Sequence, residues 1–126
     1  MNIIAVAIGG AFGAVLRYLL ASFLKHSPFV TNLASPYAAT PIINALGCFT
    51  FALLLNKFNA TPPVTTLGLF IFTGILASLT TFSTFYFEIF DVYQKFGTIF
   101  SALYFTISLV IAFIFFALGM SCGKYI

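Results

Sequence analysis

The chain has 126 residues, of which 62% are hydrophobic and only 6% charged, with a mean hydropathy of +1.15. Soluble domains carry about 25% charged residues, and five Lys/Arg with two Asp/Glu cannot coat a globule of this size. The composition excludes a water-soluble protein, and a formal charge of +3 spread so thinly gives no nucleic-acid-binding surface.

A spanning helix needs roughly 20 apolar residues. The length therefore accommodates four transmembrane helices with short loops and no separate soluble domain, so residues 1–126 read as one all-α transmembrane domain. A bundle this small encloses little volume, and a transport path through it is expected to need an oligomer.

The first span is expected over about 3–24. A signal peptide would have a basic start and a short apolar core. Met1-Asn2 has no basic side chain and the apolar run is too long, so a retained helix is expected, ended by Lys25, His26, Ser27 and Pro28. The second span covers about 38–55, with Pro36 and Pro41 at its start, and Asn56, Lys57, Asn59, Pro62 and Pro63 make the next turn. The third covers about 66–93, longer than a simple span requires. Five hydroxyl side chains crowd its middle: Ser78, Thr80, Thr81, Ser83 and Thr84. Hydroxyls can satisfy backbone groups freed by an interruption, so this helix is predicted to break near its middle; a continuous tilted helix with hydroxyl back-bonding is the alternative. Gln94 to Gly97 reads as a tight turn, and the fourth span covers about 98–121.

With four spans, Lys25 and Lys95 lie on one side, Lys57 and Lys124 on the other. Orientation follows Lys and Arg near span ends, and this count is balanced. Either the chain inserts both ways and pairs antiparallel, or another signal orients it.

The first helix carries Gly9 and Gly13 in a GxxxG face suited to close helix approach. Arg17, on the same spacing, reads equally as a structural anchor and as a group that draws anions to a vestibule. On the second helix Thr40, Asn44 and Cys48 share a face. The Asn44 amide can donate to an anion, or it can hydrogen-bond a neighbouring helix. Ser101, Tyr104 and Ser108 form a stripe on the fourth helix that reads first as interhelical knitting and second as a wet path. Phe82 and Phe85 are three residues apart, which on a helix turns both rings to one face. Ring edges are positive and can contact an anion without trapping it, although most of the 18 Phe residues must be core or lipid-facing. Glu88 and Asp91 sit near the end of the third span. Cys48, Cys122 and His26 form no ligand pattern, no nucleophile–base set can be assembled, and the chain does not read as an enzyme.

Taken in order, these motifs resemble the small fluoride channels (Fluc, or CrcB). The matching residues are Gly9-Gly10-x-x-Gly13-Ala14-x-x-Arg17-Tyr18, then Thr40-x-x-x-Asn44-x-x-Gly47-Cys48-Phe49, then Thr80-Thr81-Phe82-Ser83-Thr84-Phe85-x-x-Glu88, with Tyr104 and Ser108 on the last helix. The resemblance spans essentially the whole chain. It implies an antiparallel dual-topology dimer in a bacterial inner membrane, with two pores passing fluoride passively out of the cytoplasm. Phe82 and Phe85 would give ring edges to the ion and Asn44 would donate to it. Thr40, Ser83, Thr84, Tyr104 and Ser108 would belong to or flank a polar track, with Arg17 toward a vestibule. The broken helices would cross at the dimer centre and hold a sodium ion by main-chain carbonyls near Ala77 and Thr80. One departure stands out: the family usually has Gly-Gly before the Thr-Thr run, where this chain has Ala77-Ser78. Glycine reaches backbone conformations that Ala and Ser reach only at a cost. The change also fits one of two divergent subunits, which leaves self-pairing and pairing with a paralogue both open.

Two other readings share the size and span count. A small dual-topology multidrug/proton antiporter needs a membrane-embedded carboxylate, and the first helix has none. A non-transporting assembly subunit or lipid-interacting protein would leave fluoride resistance in cells unchanged when the polar track is mutated.

Overall fold

The computed structural model describes residues 2–28, 37–58 and 64–125. Pro36, Asn59, Pro62 and Pro63, assigned to turns above, lie outside the described residues. Helix α1 runs Asn2–His26 and α2 runs Ala39–Lys57. The third span is divided: α3 covers 66–79, and α4 resumes at Ser83–Phe96 after three non-helical residues. Helix α5 runs Thr98–Cys122. All four spans are long and apolar enough to cross a membrane.

Successive spans run antiparallel. At one end Asn56 Nδ2, on α2, donates to the Met120 carbonyl of α5 at 2.8 Å. At the other, Tyr37 precedes α2 and meets Asp91 near the end of α4. The turn between α4 and α5 is tighter than the sequence suggests, because Gln94 to Phe96 remain helical and Gly97 alone reverses the chain at φ 86°.

Small residues bring the helices together, as expected where lipid supplies no hydrophobic drive between them. Gly9 and Gly13 of α1 face the backbone of α3, and a Cβ on either would overlap the carbonyl oxygen of Phe70 or Ile75. The GxxxG face is thus a packing face. Its partner, the 69–76 stretch of α3, is wound as a π-helix, with Gly74 against Gly9. Thr65 caps α3, accepting from the Gly68 N–H at 3.1 Å. Ile43, Phe72, Leu76 and Leu79 form the core between α2 and α3.

Candidate functional site

The interruption of the third span is where the polar side chains converge. Thr80 leaves the helix in an extended conformation, φ −81° and ψ 152°. The predicted break is therefore present, and the backbone groups around it need new partners. Neighbouring hydroxyls supply some. Thr80 Oγ1 donates to the Leu76 carbonyl at 3.1 Å, and Thr81 Oγ1 accepts from the Thr84 N–H at 3.4 Å. The shorter bonds come from another helix. Asn44 Nδ2 donates to the Thr81 carbonyl at 3.0 Å, and the Thr81 N–H donates to Asn44 Oδ1 at 2.9 Å. One amide satisfies both polar atoms of a residue that has no helical ladder.

Two cavities flank this point. The first, ≈ 390 Å³, is lined by Asn44, Cys48, Thr80, Phe82, Phe85 and Ser108. The second, ≈ 310 Å³, is lined by Arg17, Lys25, Thr40, Ser78, Thr84 and Glu88. Thr81 lines both. The two differ in chemistry: aromatic rings and neutral polar groups face the first, whereas two cations and a carboxylate face the second.

The ring pair departs from simple helical stacking. Phe82 lies in the break, before α4 begins, and is 68% exposed; Phe85 is on α4 and 4% exposed. Their centroids are 6.4 Å apart with the planes tilted by 52°. Both still line the first cavity. Phe85 is held by Tyr104 and Phe105 of α5, with centroids 5.8 and 6.0 Å away.

The α5 stripe splits between the two expected roles. Ser101 Oγ donates to the Ile89 carbonyl at 2.9 Å, knitting α5 to α4. Ser108 Oγ donates back to Tyr104 O at 2.7 Å, and the residue lines the first cavity. Arg17 faces the second cavity, where its Nη2 donates to Thr84 Oγ1 at 3.3 Å. Ser83 is exposed and lines neither of the two cavities; its Oγ lies 3.4 Å from Thr81 Oγ1.

Glu88 is the residue that the sequence reading undervalued. It is half-buried and accepts from Thr40 Oγ1 at 2.7 Å and from Tyr104 Oη at 2.7 Å. Its sequence signals are its place at the end of the Thr80–Phe85-x-x-Glu88 motif and the Thr84-x-x-x-Glu88 spacing, which puts it on the α4 face that carries Thr84. A hydroxyl has one proton, and Glu88 takes those of Thr40 and Tyr104. Either group can donate to an anion only when released from it.

Ala77-Ser78 requires no glycine. Ala77 is right-handed helical at φ −66°, ψ −34°, and Ser78 continues the helix. Ser78 Oγ faces α1, 3.3 Å from where a Cβ on Gly10 would stand. The last turn of α3 ends at Leu79, so its carbonyl oxygens, Ala77 among them, form the negative end of a half-helix. Such oxygens are a donor set suited to a sodium ion.

The family profile described as "CrcB-like protein, Camphor Resistance (CrcB)" matches residues 4–120. A protein of Thermosipho melanesiensis named fluoride-specific ion channel FluC is 37% identical over 131 residues, covering 100% of both chains. Its namesake in Hydrogenobaculum sp. is 36% identical over 125 residues and 98% of each chain. Another, from Desulfotalea psychrophila, is 36% identical over 113 residues, 82% of this chain and 81% of the relative. With a profile match across nearly all of its length and relatives aligned end to end, the chain belongs to the CrcB family.

Proposed function

We infer that this multi-pass membrane protein is a fluoride-specific ion channel that lets fluoride leave the cytoplasm passively and so confers fluoride resistance. The observation that carries the reading is that two cavities of different chemistry flank the break in the third span, with Thr81 in the wall of both. Arg17 and Lys25 raise the local concentration of anions in the second cavity. Asn44 lines the first cavity with an amide nitrogen bearing two hydrogens, one of them given to the Thr81 carbonyl. The other is the donor the reading assigns to fluoride. Beyond it, ring edges of Phe82 and Phe85 offer weak, successive contacts, which suit an ion that must leave as readily as it binds; the Ser108 hydroxyl can join them only when its proton leaves the Tyr104 carbonyl.

Passive export follows from charge. HF crosses membranes as a neutral acid and ionises in a more alkaline cytoplasm. A negative interior then drives the anion out, at about 2.3 kcal/mol per charge per 100 mV.

The finer parts of the reading are proposals as well. An antiparallel dual-topology dimer in a bacterial inner membrane is supported by the balance of Lys25 and Lys95 against Lys57 and Lys124. The partner is a second copy or a paralogous subunit. The carbonyls of Ala77 and Thr80 would hold a structural sodium ion between the subunits, where the cation would offset the negative ends of two α3 half-helices.

Fluoride efflux from liposomes containing this chain alone tests both function and self-sufficiency. Rapid efflux with little chloride flux is expected. Folded protein that passes no fluoride, alone or with a paralogous subunit, would overturn the reading.

A further inference from the structure

Outside the two cavities, one cluster of polar side chains ties two segments together. Asp91 Oδ2 accepts from Lys95 Nζ at 2.7 Å and from Tyr37 Oη at 2.6 Å, and Lys95 Nζ also donates to Tyr37 Oη at 3.2 Å. The ammonium lies 5.8 Å from the centroid of the same tyrosine ring. Asp91 and Lys95 are on α4, whereas Tyr37 precedes α2. An exposed i,i+4 ion pair adds little to stability. Its clearer consequence here is to fix a residue from a different segment.

That residue reaches the site. The Tyr37 ring meets the Tyr104 ring edge-on, centroids 6.1 Å apart at 61°. The Tyr37 carbonyl lies 3.3 Å from Tyr104 Oη, which also donates to Glu88 at 2.7 Å. On its other side Tyr104 touches Phe85. Tyr104 is therefore flanked by Tyr37 and by a ring that lines the first cavity.

We propose that Tyr37, clamped by the Asp91–Lys95 pair, is a positioning residue for ion passage: it fixes the Tyr104 ring, and through it the Phe85 ring edge and the hydroxyl held by Glu88. The proposal rests on the fluoride-channel reading and assigns the clamp no contact with the ion.

The test uses the full chain in liposomes. Tyr37→Phe keeps the ring but cuts the link to Asp91 and Lys95; Asp91→Ala, which removes the acceptor, cuts the same link from the other side. Each is expected to slow fluoride efflux by about three- to tenfold, the loss of one positioning hydrogen bond, with the thermal midpoint and gel-filtration profile of wild type. Lys95→Arg, which keeps the cation, is expected to retain most of the rate. In a Tyr104→Phe background, Tyr37→Phe is expected to cause little further loss, because both changes act on one unit.

Wild-type efflux rates in both Tyr37→Phe and Asp91→Ala would overturn the proposal, as would full additivity with Tyr104→Phe. A fall in rate matched by an equal fall in folded protein would reduce the clamp to a structural part and overturn it too. If wild-type protein conducts no fluoride, the channel reading itself fails, and the proposal with it. A conducting wild type beside unimpaired variants isolates the failure to Tyr37.

Discussion

Asn44 holds the broken third span by its backbone: its amide donates to the Thr81 carbonyl and accepts from the Thr81 N–H, at 3.0 and 2.9 Å. A residue that lines the first cavity thus also replaces a missing piece of helical ladder. Asn44→Asp keeps the acceptor and loses the donor. It sets a carboxylate against the Thr81 carbonyl and against any anion in the cavity. Fluoride efflux is expected to fall more than about tenfold, with a stability loss of about 1–3 kcal/mol for the unsatisfied carbonyl. Efflux assays and thermal melts of the same preparation check both. An unchanged rate would remove Asn44 from the path.

The two phenylalanines are expected to separate stability from conduction. Phe85 is 4% exposed and wedged against Tyr104 and Phe105, whereas Phe82 is 68% exposed. Phe85→Ala should cost about 3–5 kcal/mol, as for other packed rings. Phe82→Ala should stay within about 0.5 kcal/mol of wild type, as surface changes do. Conservative Phe82→Ile and Phe85→Ile should both slow fluoride efflux, because each removes a ring edge from the first cavity. If Phe82→Ile conducts at the wild-type rate, the exposed ring is a lipid contact and only Phe85 serves the ion.

Local pattern made much of this legible. The crowded hydroxyls of 78–84 point to the interruption because they can partner backbone groups freed by a break, and the structure decides for the break over a continuous helix with back-bonded hydroxyls. Gly9 and Gly13 mark a close approach because nothing else explains two bare positions one turn apart. What escaped is long-range. Glu88 gains its importance from Thr40 and Tyr104, which lie 48 and 16 residues away in the chain. Nothing in the spacing of α4 announces partners on α2 and α5. Likewise, hydroxyls were expected to repair the break, but the shorter repair bonds come from Asn44, 37 residues upstream of Thr81. Side-chain chemistry showed that Asn44 needs a partner without showing which.

Arg17 and Lys25 share the wall of the second cavity. If they act by drawing anions, their effect is a field and must weaken with salt. The Debye length shortens from about 30 Å at 0.01 M to about 10 Å at 0.1 M. Lys25→Gln is expected to slow fluoride efflux severalfold at low ionic strength and much less in an inert salt at high concentration. Arg17→Gln should keep part of its defect at high salt, because the guanidinium also donates to Thr84 at 3.3 Å. A Lys25→Gln defect indifferent to salt would mean that the lysine acts by contact.

Gly97 offers a test of the fold that leaves the path alone. It reverses the chain between α4 and α5 with φ 86° and ψ −180°, a region that side-chain-bearing residues enter only at a cost. Its N–H donates to the Tyr93 carbonyl at 2.9 Å, and its carbonyl accepts from the Ser101 N–H at 3.2 Å, so the turn cannot relax without losing a bond at each helix end. Among the described residues, no atom beyond Gly97 and its two chain neighbours lies within 4 Å of where a Cβ would stand. The cost of Gly97→Ala is therefore conformational and not steric, about 1–3 kcal/mol. Melting of the reconstituted protein should shift down accordingly, while efflux per folded channel stays at the wild-type value. Because Ser101 anchors α5 to α4 one turn further on through the Ile89 carbonyl at 2.9 Å, the strain should end there and leave Tyr104 and Glu88 in register. A drop in efflux per folded channel would show instead that the turn transmits to the path.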